Sequence, residues 1–206
     1  MNLSDIPELC EWTHRRACSP GQTLVFEGEQ PRTIYQVARG VIKLTRCSTG
    51  GREIIVGLVC PGEYLDVVAI LDGSPHGVTA SALAGSDVEV VAVSRDLALG
   101  STELLQFLEK AALQELRAQR DWTVAMALER VETRAMRALT MLGERLGERR
   151  EKGFELPLML NRQEFAELIG TTTETAIRVL SMFRRRGITL ERGGWLNVLQ
   201  PDTSLA

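Results

Sequence analysis

Two amphipathic stripes one tight turn apart, between residues 160 and 187, constrain this chain more than any other stretch. Asn161 is a natural N-cap, and Glu164 three residues on completes a capping-box pattern, each side chain serving a backbone N–H of the other. Phe165, Leu168 and Ile169 give the first helix one apolar stripe, and Gly170 stands where a C′ glycine ends it. After three threonines, Ala176, Val179, Leu180 and Phe183 recur at i, i+3, i+4, i+7. That is the buried stripe of a second helix, closed by Gly187 behind Arg184-Arg185-Arg186. A second face remains, Glu174, Ile177, Arg178 and Ser181, at the same spacing. An acceptor, an apolar group and a forked donor suit the floor of the DNA major groove. Arginine pairs bidentately with guanine, glutamate accepts from the cytosine amino group, and isoleucine can meet a thymine methyl. The plainer alternative is an i, i+4 Glu174–Arg178 ion pair on a solvated helix, worth ~0.2–0.5 kcal/mol, with Glu174 as capping partner of Thr171.

Two hundred and six residues allow two small domains or one large one. A net charge of −3 does not advertise nucleic-acid binding, but its distribution does. Arg178, Arg184, Arg185, Arg186 and Arg192 crowd one segment against Glu191, a local basic patch on an acidic chain. The opening residues lack a basic and an apolar region, and no apolar run approaches ~20 residues. No signal peptide or membrane span is therefore expected, and the protein is read as cytoplasmic. Cys10, Cys18, Cys47 and Cys60 are then expected to be reduced thiols. A metal-dependent enzyme on a cupin-like barrel needs a His/Glu ligand set, which His14 and His76 alone do not supply.

Ahead of residue 100 the chain is β-rich. Runs at 23–26, 34–38, 41–45, 54–58, 79–83 and 88–93 are separated by Gly28, Gly40, Gly50-Gly51, Pro61-Gly62, Gly73 and Gly85. Short strands with regular turn signals predict a β-sandwich or barrel. Residues 103–131 contain no Gly or Pro and predict a helix of ~40 Å, capped by Ser101 or Thr102 and broken near Lys110. Ala112, Leu116, Gln119, Thr123 and Met126 follow alternating four- and three-residue steps, the seam of a two-stranded coiled coil. A second stripe, with Leu105, Leu108, Leu113 and Trp122, is expected to face the β-domain. Two apolar faces predict a homodimer. Residues 133–146 form a further amphipathic helix, 147–153 a polar loop and 154–158 a strand. Residues 188–191 and 195–199 make a hairpin around Arg192-Gly193-Gly194.

The stretch from Asn161 to Leu180 resembles the DNA-binding signature of the CRP/FNR family. These are homodimeric bacterial transcription regulators with a sensor domain ahead of a winged helix-turn-helix. The family's Glu-Thr, two residues, then Arg is present as Glu174-Thr175 and Arg178. Pro20 to Glu29, Tyr35 to Gly40 and Cys60 to Tyr64 resemble strands and turns of its sensor domain. The resemblance implies an α+β fold with a double-stranded β-helix, cupin-like and cyclic-nucleotide-binding-like, over residues 1–101. A dimerisation helix and hinge follow over 102–133, and a winged helix-turn-helix over 134–206. It implies double-stranded DNA as partner, with Glu174, Arg178, Thr173, Ile177 and Ser181 toward bases. Asn161, Arg162, Thr172, Arg184, Arg185 and Arg192 are directed to phosphates. In relatives a loop near 147–153 touches RNA polymerase.

The effector is a separate matter. Cyclic-nucleotide sensors carry a Gly-Glu-Leu turn and a downstream arginine that neutralises the cyclic phosphate. In register, this chain has Asp66-Val67-Val68 and, just before Thr79, Val78. No basic residue lies between Arg52 and Arg95, and a buried phosphate without a cationic partner is strongly disfavoured. Cyclic AMP is not expected. An iron–sulfur cluster needs a clustered N-terminal cysteine triad, which Cys10 and Cys18 alone do not make. One haem-binding member places its ligand near His76, whereas the simpler expectation is a solvated loop histidine. Asp66, Val67, Val68, His76, Val78, Thr79 and, through the dimer, Arg120 are the candidate pocket residues. Cys47 and Cys60 are either redox-reactive or inert packing. A regulator with a vestigial pocket, controlled by its abundance, is the remaining alternative. Absorption spectroscopy of the purified protein separates these: a Soret band for haem, a broad near-visible band for iron–sulfur, a bare protein spectrum for an organic ligand or none.

Overall fold

The computed structural model describes residues 1–151, 153–157, 160–192 and 195–199. The chain divides into two compact units, Met1–Thr123 and Val124–Ala206. The boundary falls inside the long helix.

In the first unit, two short 3-10 turns lead into β1 (His14–Cys18), β2 (Thr23–Val25), β3 (Thr33–Arg39), β4 (Ile42–Cys47) and β5 (Glu53–Val59). Helix α1 (Val67–Asp72) precedes β6 (Thr79–Ala82) and β7 (Val88–Ser94), followed by α2 (Arg95–Ala98) and α3 (Thr102–Leu128). Two antiparallel sheets form, ordered β1-β7-β3 and β2-β6-β4-β5. The six strands expected from the glycine-punctuated runs are present; β1 and the two short helices are additions.

The β3–β7 sheet is buried on both faces. Val37, Val88 and Val90 meet Ile42, Leu44, Val59 and Ala80 between the sheets. Ile34, Val91 and Val93 point the other way, under Leu3, Ile6, Val67, Ile70, Leu104 and Leu108. Period-two alternation carries one strand's side chains into two cores, so β7 reads as a continuous apolar run. Buried Gln36 ties the N-terminus to this face. Its Oε1 accepts from Leu3 N at 2.8 Å, and its Nε2 donates to Met1 O and Gly62 O.

Helix α3 runs unbroken past Lys110. Leu104 and Leu108 are fully buried, and Phe107, Ala111 and Ala112 pack beside them. Leu108, expected to face the β-domain, does so. Leu113, assigned to the β-domain, is 58% exposed, and Leu116, Val124 and Leu128 are exposed with it. Three of the five positions assigned to the seam have neighbours within the chain. Ala112 lies on the core, Gln119 donates to Val56 O at 3.0 Å, and Met126 packs against Gly170. The other two, Leu116 and Thr123, are exposed.

In the second unit α4 (Val131–Leu146) follows after two residues, then β8 (Glu148–Arg150), β9 (Gly153–Pro157), α5 (Arg162–Leu168), α6 (Thr173–Arg185), β10 (Thr189–Arg192) and β11 (Trp195–Leu199). The antiparallel sheet order is β10-β11-β9-β8. Residues 148–150, expected as loop, are a strand because their backbone pairs with β9 while every side chain stays exposed. The wing is the β10–β11 hairpin, with Arg192 opposite Trp195. Its Gly193-Gly194 turn and the Arg192 side chain lie outside the described residues.

Leu108 should be a stability anchor of the first unit. Leu108→Ala is expected to cost about 2–5 kcal/mol, read from the shift in a urea unfolding midpoint at constant slope.

Candidate functional site

The α5–α6 pair forms as its local sequence dictates. Glu164 N–H donates to Asn161 Oδ1 at 2.8 Å, and Glu164 Oε2 accepts from Asn161 N, the complete capping box. Gly170 adopts φ +64°, a left-handed value that favours glycine, and Thr171 N–H donates back to Ala166 O. Helix α6 is capped by Thr172, whose Oγ accepts from Thr175 N. The cap is therefore Thr172, not Thr171, and it needs nothing from Glu174. At the far end, Gly187 N–H reaches Arg184 O and Ile188 N–H reaches Phe183 O, the paired bonds of a Schellman closure.

Burial then sorts the faces of α6. Ala176, Val179 and Phe183 are buried, with Leu180 partly so. Thr173, Glu174, Ile177 and Arg178 are exposed, and Ser181 is half-buried beside them. Among the described residues, neither Glu174 nor Arg178 has an ion-pair partner, so the plainer i, i+4 pairing is not formed. Asn161 and Arg162 are exposed at the start of α5, Thr172 at the start of α6, and Arg184, Arg185 and Arg186 at its end. One face thus offers an unpaired acceptor, an apolar group and a forked donor, flanked by cations and two capped helix starts.

The sensor candidates divide. His76 is not a solvated loop residue: it is 4% exposed. Its N–H donates to Glu29 O and its carbonyl accepts from Gly28 N, both at 2.8 Å, which pins the loop to a turn between β2 and β3. Its Nδ1 lies 2.8 Å from Asp66 Oδ2. Asp66 holds φ +45°, ψ 61° at the head of α1. That left-handed backbone is one a glycine adopts freely and an aspartate tolerates. Val67 is in the core, whereas Val68 is 53% exposed on the outer face of α1 and lines no interior. Val78 packs partly against the inter-sheet core, and Thr79 Oγ accepts from Glu27 N. Arg120 is exposed. Cys18 and Cys60 are buried, and burial raises the Cys18 thiol; Cys10 and Cys47 are exposed. Among the described residues, no three His, Cys, Asp or Glu side chains are grouped to hold a metal ion. None of the described helices is long and apolar enough to cross a membrane.

Residues 15–100 match the cyclic nucleotide-binding domain family, and residues 133–203 match the Crp-like helix-turn-helix domain family. The chain belongs to the CRP/FNR family of transcription regulators. The nitrogen fixation regulation protein FixK of Bradyrhizobium diazoefficiens is 28% identical over 202 residues, 96% of this chain and 84% of that protein. A CRP-like cAMP-activated global transcriptional regulator of Mycobacterium tuberculosis is 27% identical over 172 residues, 81% of this chain and 75% of its own. The structure of FixK2 from Bradyrhizobium japonicum has the same fold, with a TM-score of 0.80 at 21% identity over 92% of this chain and 93% of that one. The protein is thus a regulator with a helix-turn-helix DNA-binding domain, in a family that is not enzymatic.

One half-buried acid of this CRP/FNR regulator escaped sequence reasoning. Glu115 continues the steps Leu104, Leu108, Ala111 and so falls on the buried side of α3. That placement is a signal the stripe itself contained. Burial, with Asp66 and then Glu63 nearby, holds its carboxyl above the ordinary range. A carboxyl raised on folding favours the native state when protonated, and that contribution is lost as pH rises through its folded value. Glu115→Gln should therefore be more stable than the unsubstituted protein at pH 7. The difference should shrink toward zero below about pH 4.3, the ordinary glutamate value, in thermal melts across pH.

Proposed function

We infer that this regulator binds an inverted-repeat DNA site as a homodimer, with α6 in the major groove of each half-site. The observation that carries the reading is the face of α6. Glu174 and Arg178 are exposed and unpaired within the chain, beside Ile177, while the opposite stripe is consumed by the core. Arg178 is assigned to guanine and Glu174 to the cytosine amino group, with Thr173, Ile177 and Ser181 lining the same groove. Asn161, Arg162, Thr172, Arg184, Arg185 and Arg192 are assigned to phosphates, setting register without sequence information. Self-association is assigned to the exposed apolar face of α3, Leu113, Leu116, Val124 and Leu128. Two recognition helices on a dyad then sit about one DNA turn apart, ~34 Å. RNA polymerase is the further partner the reading implies, at the segment around 148–150.

The sensor domain is assigned no cyclic phosphate. Val78 stands where the neutralising arginine is expected, and Glu115, whose carboxyl is raised by burial and then by Asp66 and Glu63, adds a third acidic side chain nearby. The Asp66 bond and two main-chain bonds account for the burial of His76 without a haem.

The test is a random-site selection followed by titration of the selected site. Arg178→Ala should lose ~1–3 kcal/mol per half-site and relax specificity at one base pair. Arg185→Ala should weaken cognate and scrambled DNA alike and flatten the salt dependence. Equal losses on cognate and scrambled DNA for both variants would overturn the assignment.

A further inference from the structure

The guanidinium of Arg134, in the first turn of α4, donates to four backbone carbonyls outside its own helix. Nε reaches Ile169 O at 3.0 Å and Nη2 reaches Gly170 O at 3.4 Å, where α5 ends and the turn toward α6 begins. Nη1 reaches Met126 O at 3.4 Å and Glu129 O at 3.2 Å, where α3 ends. Helix ends leave their last carbonyls without intrahelical partners. A planar fork with five donors can serve two such ends at once, which a lysine ammonium on a flexible stem cannot. Two further contacts brace the same junction. Arg137 is ion-paired with Glu129, and the Met126 side chain lies where a Cβ on Gly170 would stand.

We propose that Arg134 is a positioning residue for DNA binding, locking the α5–α6 turn, and with it the start of the recognition helix, to the C-terminal end of α3. The contact path is continuous: end of α3, Arg134 and Met126, Ile169 and Gly170, the Thr172 cap, then α6. In a dimer seamed along α3, this lock fixes how far apart the two recognition helices stand. The inference rests on the dimeric, inverted-repeat reading above. The α5–α6 pair does not need Arg134 to fold, because Phe165, Ile169, Val179 and Phe183 hold it through their own core. Carbonyls released at a helix end can turn to water. Losing Arg134 therefore frees an orientation and leaves the reading surface intact.

Full-length Arg134→Gln and Arg134→Lys are compared with the unsubstituted protein on three DNA sets. These are a single half-site, the selected inverted repeat, and that repeat with one or two base pairs inserted at its centre. The unsubstituted protein should strongly prefer the native spacing. Both variants should keep half-site affinity within about twofold and the same thermal midpoint. On the native repeat they should lose about tenfold or more, 1.4 kcal/mol per factor of ten, and bind the respaced repeats nearly as well. Lysine should not rescue. Variants that retain the spacing preference overturn the proposal while leaving the dimer reading intact. Variants that lose half-site binding or unfold make Arg134 a folding residue, which also overturns it. No spacing preference in the unsubstituted protein removes the dimer reading, and the proposal with it.

Discussion

Leu104 and Leu108 carry α3 into a core that also receives Ile34, Val91 and Val93 from the outer face of the β1-β7-β3 sheet. Each residue of a helix advances ~100° in azimuth, so anchoring these two decides what the following turns present. Ala111, Ala112 and Glu115 are turned toward the first unit's interior; Leu113 and Leu116 are turned to solvent. The anchor exists because β7 is buried on both sides. Val90 goes to the inter-sheet core while Val91 and Val93 need a cover, which α1, α3 and the N-terminal turns provide. Gln36 braces that cover by bonding backbone groups of Met1, Leu3 and Gly62.

What was legible in the sequence follows from how local each element's causes are. Helices α5 and α6 were legible because the capping box, the C′ glycine and the 3.6 period all act within one or two turns. The glycine-separated strands were legible for the same reason. Strand β1 was not: His14-Arg15-Arg16-Ala17-Cys18 has no apolar alternation, and it is a strand because the edge of β7 offers it a ladder. Val67-Val68-Ala69-Ile70-Leu71 is a short apolar run that fits a buried strand or a helix equally, and α1 was missed in that ambiguity. The capping threonine was misplaced by one position among three neighbours.

The seam residues show where periodicity runs out. Alternating four- and three-residue steps can be traced along α3 from Ala112, and almost as well from Leu113, one residue further round. Choosing between them requires knowing which stripe the rest of the chain covers. That depends on pairings far away in sequence, Leu108 with Val91 and Met126 with Gly170. Met126 is instructive because its side chain is apolar and correctly spaced for a seam. Within the chain its Cε lies where a Cβ on Gly170 would stand, a contact that spacing along the helix does not encode.

The head of α1 joins an acidic side chain to a left-handed turn and a buried histidine. The turn at the head of α1 has the left-handed geometry that suits a glycine, but Asp66 occupies it. A non-glycine residue in that region carries strain of order 1 kcal/mol, and the contact with His76 offsets it. His76 can do so because two backbone bonds to the Gly28–Glu29 turn fix its loop. Glu115 lies half-buried near Asp66 and Glu63, and the imidazole of His76 is bonded to Asp66. Removing the acid at Asp66 would leave His76 buried without its side-chain partner, so the two residues are coupled.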